Sequence, residues 1–328
     1  MRILVCGSEG SLMQAVIPKL VKNHAVYGAD NLFRYGERLG RADGYEFIKV
    51  DLTDRPSVNN LVKNVKPDLI IQSAARIYSV GGFNKYCADI LGEDIQLHNN
   101  VLRAAADYGV PKVVYISSSM VYETGTGVMK EEDIDIVATP KTEYGLSKFF
   151  CEKLSIAFEK QYGIQYTLWR PFNILTPYER KEAGHGMSHV FTDFIDEIVI
   201  KRTNVLPILG DGQQIRCFTW IDEVAGAIAD YSAAGKTNGE AFNVANLEPI
   251  TMIDLAKKIR RIAEEEFQIP FTADLTFEHK PAYNNDVRYR VPDVTKIKDM
   301  LGWEAKIKVD DALRLCIKDA LEINNVKI

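Results

Sequence analysis

The first 170 residues alternate short apolar runs with stretches in which apolar positions recur every three or four residues. Runs at Ile3–Cys6, Ala25–Ala29, Phe47–Val50, Leu69–Ile71, Val113–Ile116 and Tyr166–Trp169 predict strands. Amphipathic stretches at Leu12–Lys22, Ser57–Val65, Ile95–Tyr108 and Glu143–Gln161 predict helices between them. The third ends at Gly109-Val-Pro111, a stop-and-turn signal. Such alternation is the pattern of a parallel α/β sheet. After Arg170-Pro171 the rhythm breaks. Loops at Thr176–Gly186 and Leu209–Gln214 separate shorter elements, and helical patterns return at Ile221–Tyr231, Met252–Phe267 and Asp310–Ile323. The pattern therefore predicts a doubly wound, nucleotide-binding α/β domain over residues 1–172 and a smaller mixed α/β domain over 173–328. The chain is expected to cross back to the first domain once, around 215–245.

Bulk properties remove several alternatives. With 328 residues, 46% of them hydrophobic, the chain can bury one large core or two unequal ones. A net charge of −5 offers no electrostatic basis for binding nucleic acid or an anionic membrane. The five cysteines (Cys6, Cys87, Cys151, Cys217, Cys316) are scattered and form no Cys-x-x-Cys pair, which argues against a disulfide framework or a metal site. The opening apolar run is too short for a signal peptide, and no segment approaches the ~18 apolar residues of a membrane span. A soluble cytoplasmic protein is expected.

Chemistry begins at the first predicted turn. Gly7-Ser-Glu-Gly10-Ser11-Leu12 follows the first strand and opens the first helix, where glycines let the backbone approach a diphosphate at a helix N-terminus. Met13 stands where a third glycine would allow close helix–strand packing. Asp30 closes the second strand, about 20 residues on, where an acid bonds an adenosine ribose 2′-hydroxyl and repels a 2′-phosphate. NAD is thus favoured over NADP, although Arg34 close by would partly offset the repulsion. Asp51-Leu52, after the third strand, reads either as an adenine contact or as an ordinary helix-leading acid.

Three Tyr-x-x-x-Lys spacings occur. Tyr45/Lys49 falls in a predicted strand, where four residues separate side chains by roughly 13 Å. Tyr108/Lys112 contains Pro111, which blocks a continuous helix. Only Tyr144/Lys148 lies in a predicted helix, so only there do i and i+4 share a face. About 25 residues earlier, the run Val113–Ile116 empties into Ser117-Ser118-Ser119. A phenol, an ammonium and a hydroxyl are the set needed to take a proton from an alcohol while hydride leaves its carbon. A nearby ammonium and the positive charge of an oxidised nicotinamide both stabilise a phenolate.

In order, Gly7-x-x-Gly10, Asp30, Asp51-Leu52, Ala74-Ala75, Ser117-Ser118-Ser119-Met-Val-Tyr122, Tyr144-x-x-x-Lys148, Arg170-Pro-Phe-Asn173, Gly210-Asp-Gly-Gln-Gln-Ile-Arg216 and Asp293 to Trp303 resemble the extended short-chain dehydrogenase/reductase superfamily. Within it, the motifs match the nucleotide-sugar epimerase/dehydratase group over nearly the whole chain. The resemblance implies a Rossmann domain with a small substrate domain, NAD as cofactor, a UDP- or GDP-linked sugar as substrate, and a homodimer built on a four-helix interface. It implies Tyr144 as base, Lys148 as its partner and Ser118 as the catalytic hydroxyl, a residue that would otherwise read as a turn cap. Cofactor contacts are implied for Gly7, Gly10, Ser11, Leu12, Asp30, Asn31, Asp51, Leu52, Ala74, Ala75, Tyr144 and Lys148. Substrate contacts are implied for Ser119, Asn173, His189, Arg216 and Arg288. Guanidinium groups suit a diphosphate because they grip its oxygens in a forked geometry, though Arg288 reads equally as a solvated loop residue.

Positions after the shared oxidation step separate the reactions. A 4,6-dehydratase of this group carries Asp-Glu after the catalytic hydroxyl, and a sugar-acid decarboxylase a Glu at the second of these positions. Here they are Ser119 and Met120. The arrangement resembles UDP-galactose 4-epimerase, whereas Val80–Asp89 and Gly186-Met-Ser-His189-Val resemble GDP-fucose synthase and its relatives. In those relatives the histidine at the His189 position is an acid/base and its cysteine partner falls at Met120, which carries no proton. His189 reads equally as a polar residue on the inner face of a helix, and His185 as a loop residue. Tyr78 and Phe83 read as sugar-pocket or core residues. Asp94 stands where the family often has Asn, and Cys217 where an Asp commonly follows the arginine. The reading is an NAD-dependent nucleotide-sugar epimerase acting through a transient 4-keto sugar. Its alternatives are a 4-dehydrogenase/4-reductase, a GDP-sugar epimerase-reductase, and a non-catalytic NAD-binding module.

Overall fold

A computed structural model describes residues 1–76, 85–179, 189–282 and 287–326. Its central sheet has seven parallel strands: β1 (Arg2–Cys6), β2 (Ala25–Asp30), β3 (Glu46–Lys49), β4 (Leu69–Gln72), β5 (Lys112–Ile116), β7 (Gln165–Pro171) and β12 (Glu240–Val244). Their order is β12-β7-β5-β4-β1-β2-β3, so the chain winds outward both ways from β1 and β4. Successive side chains of a strand point to opposite faces, and here both faces are covered. Ile3 and Val5 of β1 enter one core cluster, Leu4 and Cys6 the other. That is why these strands read as continuous apolar runs rather than alternating ones.

Helices α1 (Ser11–Leu20), α2 (Arg55–Val65), α3 (Cys87–Asp107) and α4 (Glu143–Tyr162) connect the first six strands. In α2, Asp54 caps the N-terminus by accepting from Ser57 N at 3.1 Å. Val58, Leu61, Val62 and Val65 form its buried stripe, each stabilising the fold by about 1.5–3 kcal/mol. Thr142 caps α4 through Gly145 N at 3.1 Å, and Gly163 ends it at φ 74°. The third helix begins at Cys87, eight residues before the apolar periodicity predicts, since its first two turns bury only Ile90 and Asp94; the whole helix turns three polar residues inward. Each has a partner far away in sequence: Asp94 with Arg76 N and Ser147, His98 with Ser155, and Asn100 with the carbonyls of Leu52 and Thr53.

The remaining elements lie outside the central sheet. Strands β6 (Val128–Met129), β10 (Ile215–Cys217), β13 (Pro249–Thr251) and β15 (Tyr289–Pro292) form a four-stranded sheet in the order β13-β10-β15-β6. Two short parallel pairs, β8 (Ile174–Leu175) with β11 (Thr219–Trp220) and β9 (Val205–Leu209) with β14 (Thr276–Lys280), accompany it. Helices α5 (Val190–Ile195), α6 (Ile221–Tyr231), α7 (Met252–Glu265), α8 (Thr295–Leu301) and α9 (Val309–Ile323) complete the described chain. No helix among the described residues is long and apolar enough to cross a membrane.

Candidate active site

A cleft of about 820 Å³ opens where the parallel strands end at their C-termini. In open α/β sheets this is where ligands bind, because strand-to-helix turns converge there. Its lining includes Gly7, Gly10, Ser11 and Leu12 after β1, Asp30 and Asn31 after β2, and Asp51 and Leu52 after β3. Ala74 and Ala75 follow β4, Ser118 follows β5, Tyr144 and Lys148 come from α4, and Asn173, His189 and Arg216 close the far side. Residues spread over more than 200 positions thus share one wall-to-wall space. Ser119 and Arg288 are not among the lining residues. Ser119 points into the protein interior, and Arg288 is 67% exposed in an ion pair with Asp211 at 2.6 Å. Tyr78, Phe83 and His185 fall outside the described residues.

The glycine turn fits a dinucleotide. Gly7 takes φ 79°, and a Cβ there would approach Ala74 N to 2.7 Å, so only glycine lets the β1 and β4 turns close together. Met13, in place of a third glycine, is fully buried in the core cluster between α1 and the sheet, which accommodates its volume. Asp30 accepts from Leu32 N at 2.7 Å and from Glu9 N at 3.0 Å. Burial pushes its carboxyl above the usual range, and these backbone bonds partly oppose the shift. Asp51 accepts from Thr53 N at 2.9 Å while still lining the cleft, so its turn-forming and cleft-facing readings coexist.

At the chemical centre, Lys148 is buried, with Nζ donating to Ile116 O at 3.2 Å. It stands 5.7 Å from the centroid of the Tyr144 ring and 5.1 Å from that of Tyr115. Ser118 Oγ accepts from Met120 N at 3.2 Å, capping the short 3₁₀ turn Ser119–Tyr122, and it lines the cleft as well. The cap and the cleft-facing hydroxyl are one group. Behind Lys148 lies Asp94, whose carboxylate accepts from Arg76 N and from Ser147 Oγ at 3.1 Å. Burial pushes its pKa up to about 6, with Lys148 pulling the other way.

That shift gives a stability prediction. A carboxyl whose folded pKa lies above its ordinary 3.8 binds more protons in the native state, so its cost appears as pH rises through about 6. Two pH units correspond to on the order of 3 kcal/mol. Asp94→Asn keeps an acceptor for Arg76 N and removes the buried charge. It should raise the urea-unfolding free energy by about 2–3 kcal/mol at pH 8 and by little at pH 4. An equal gain at both pH values would remove ionisation as the cause.

The part of the cleft that carries Asn173, His189 and Arg216 holds two residues that sequence reading missed. Strands β10 and β15 pair in a register that sets Arg290 beside Arg216, and both side chains line the cleft. Arg290, rather than Arg288, is therefore the second guanidinium at this wall. The other missed residue is Glu179, whose side chain is 1% exposed. It faces His189, with Nδ1 at 2.6 and 2.8 Å from the two carboxylate oxygens. The pair directs the other ring nitrogen, Nε2, away from the carboxylate. The Glu179 charge raises the His189 pKa. Burial pushes the Glu179 carboxyl up, but His189 outweighs it and holds it below its usual range. Asn173 sits at φ 29°, its amide donating to Cys217 O at 2.9 Å.

Comparison with known proteins agrees with this geometry. The sequence profile of the NAD dependent epimerase/dehydratase family matches residues 3–245. A UDP-N-acetyl-alpha-D-glucosaminuronate decarboxylase of Bacillus cytotoxicus is 28% identical over 99% of both chains. A UDP-glucuronate 4-epimerase of Thermodesulfobacterium geofontis is 27% identical, again over 99% of both. Among solved structures, UDP-glucose 4-epimerase of Thermotoga maritima superposes with a TM-score of 0.84 at 24% identity, covering 99% of this chain and all of that one. With the profile spanning most of its length, the chain belongs to the NAD-dependent epimerase/dehydratase family.

Proposed function

We propose that this enzyme is an NAD-dependent nucleotide-sugar epimerase that works through a transient 4-keto sugar. The observation that carries the reading is the convergence of Tyr144, Lys148 and Ser118 on the cleft that also holds the glycine turn and Asp30. Bound NAD would supply a hydride acceptor and return the hydride. Gly7, Gly10, Ser11 and Leu12 would hold its diphosphate, Asp30 and Asn31 the adenosine ribose, and Ala74, Ala75 and Lys148 the nicotinamide half. Asp51 and Leu52 would border the adenine.

Tyr144 would remove the proton of the sugar 4-hydroxyl, oriented by Ser118 and assisted by the Lys148 charge. Arg216 and Arg290 would hold the diphosphate of the substrate, and Asn173 the segment between. The relatives' names span epimerisation and decarboxylation, so they do not choose between reactions. Met120 supports epimerisation over dehydration or decarboxylation: it lines the cleft, and its thioether cannot carry a proton. The UDP-sugar relatives support a UDP-linked substrate. The same reading divides the chain near residue 172, with a return to the first domain around 215–245, and places it in the cytoplasm as a homodimer. Leu146, Phe150 and Ala157, at helical intervals along the outside of α4, support a helical interface.

A second reading has its own observation. The His189–Glu179 pair is arranged as a proton carrier, which favours epimerisation beside a ketone, as in an epimerase-reductase. One experiment separates the two. The protein is incubated with UDP-, GDP- and CDP-sugars in deuterated water while cofactor absorbance and sugar NMR are followed. The proposal expects a new sugar free of carbon-bound deuterium and no net NADH. Deuterium on carbon, lost in His189→Asn, would establish the second reading. Accumulating NADH would indicate a dehydrogenase, and no turnover a binding module.

A further inference from the structure

The segment between β2 and β3 begins at the ribose-facing Asp30 and carries three arginines, each ending on an acid from another part of the chain. Arg34 Nη2 lies 3.1 Å from Glu179, Arg38 Nε 3.0 Å from Glu9, and Arg41 Nη1 3.4 Å from Asp319. Glu9 is the informative one, because it belongs to the glycine turn itself and lines the cleft. Its side chain is almost fully buried. One carboxylate oxygen takes Arg38 and the Tyr45 hydroxyl, and the other accepts from Gly40 N at 3.3 Å. Arg38 in turn lies over the rings of Tyr45 and Phe47, at 5.3 and 4.6 Å from their centroids, and donates to Tyr45 at 2.9 Å. The Glu9 backbone N–H meanwhile donates to Asp30. Two carboxylates therefore stand side by side at the ribose end, and Arg38 is already engaged by one of them.

We propose that Glu9 is a second determinant of dinucleotide choice, acting with Asp30 to exclude a 2′-phosphate. It holds Arg38 in an ion pair, away from the ribose. Asp30 alone would repel the phosphate, but a neighbouring guanidinium could compensate, since Arg grips phosphate oxygens in forked pairs. Glu9 removes that compensation. The inference rests on the reading that Gly7, Gly10 and Asp30 hold the adenosine half of the cofactor.

Calorimetric titration of the full-length protein with NAD and with NADP tests it without any turnover. Glu9→Gln keeps an acceptor for Gly40 N and loses the charge. It should narrow the NAD-over-NADP preference by about tenfold, because loss of the Glu9 charge releases Arg38 to meet a 2′-phosphate. Adding Arg38→Ala to Glu9→Gln should cancel most of that change. In the otherwise unaltered protein, Arg38→Ala should leave the preference where it was. A shifted preference in that variant would show that Arg38 already reaches the ribose, and would overturn the proposal without any Glu9 variant. A preference unmoved by Glu9→Gln but shifted by Asp30→Ser would overturn the proposal and leave Asp30 as the sole determinant. So would an Arg38→Ala effect of the same size in both backgrounds. If neither Asp30→Ser nor Glu9→Gln alters binding of either dinucleotide, the underlying placement of the adenosine half fails.

Discussion

Tyr144→Phe should lower turnover of the nucleotide sugar by about 10³-fold while NAD still binds, since a positioned acid–base group contributes roughly 10²–10⁴. The substitution removes one oxygen from a helix face whose other members stay in place. Lys148 is held by Ile116 O rather than by the phenol, and Thr142 still caps the helix. The ring itself packs with Ile90 and Tyr86, contacts that Phe preserves. The loss should therefore appear in kcat, with KM for the sugar and Kd for NAD changed little, because the missing group acts chiefly in the transition state. Turnover within tenfold of wild type would show that another group takes the proton. His189 would be the first to test, being the cleft-lining residue whose proton affinity its neighbour raises most directly.

How far this site was legible in the sequence depended on which physical constraint each residue obeys. Strands buried on both faces announce themselves as apolar runs, so β1, β4 and β5 were found within a residue of their ends. The glycine turn, Asp30, Ser118, Tyr144 and Lys148 were legible because each sits at a strand end or on one helix face. Local spacing fixes such positions. Arg290 was not legible, since its place beside Arg216 follows from a strand register that joins residues 74 apart in the chain. The motif position, Arg288, lies just before that strand and turns out to Asp211. Glu179 was hidden for a related reason: an acid in a loop gives no sign that it will be buried until its partners, His189 and Arg34, close over it. The early part of α3 was missed because it buries only Ile90 and Asp94, and Asp94 reads as a surface residue until its distant partners Arg76 and Ser147 are known.

The same kind of distant pairing sets up the second large effect, in the floor beneath Ser118. Glu152 of α4 and Arg170 of β7 form a two-pronged pair, Nε to Oε1 at 2.9 Å and Nη2 to Oε2 at 2.7 Å, with side chains only 1% and 3% exposed. Ser117 Oγ donates to the same carboxylate at 2.5 Å. Arg170 Nη1 donates to the Tyr122 hydroxyl and to Glu131 O at 2.8 Å, and the Tyr122 hydroxyl donates to Asn243 Oδ1 of β12 at 2.9 Å. Burial disfavours the Arg170 charge, but Glu152 and Tyr122 outweigh it and hold the guanidinium firmly protonated. Removing one partner from such a pair leaves an uncompensated buried charge, which costs about 3–5 kcal/mol. Glu152→Gln should therefore lower the urea-unfolding free energy by that amount at pH 7.5. Replacing both residues by Met should cost clearly less than the sum of the two single changes, the signature of a coupled pair. Because Ser117 shares the carboxylate, the Gln variant should also lose activity at temperatures where it is still folded, as the turn carrying Ser118 loosens. Additive single and double changes would mean that the two residues stabilise the fold independently, and full activity in the folded Gln variant would mean that the floor has no role in placing the hydroxyl.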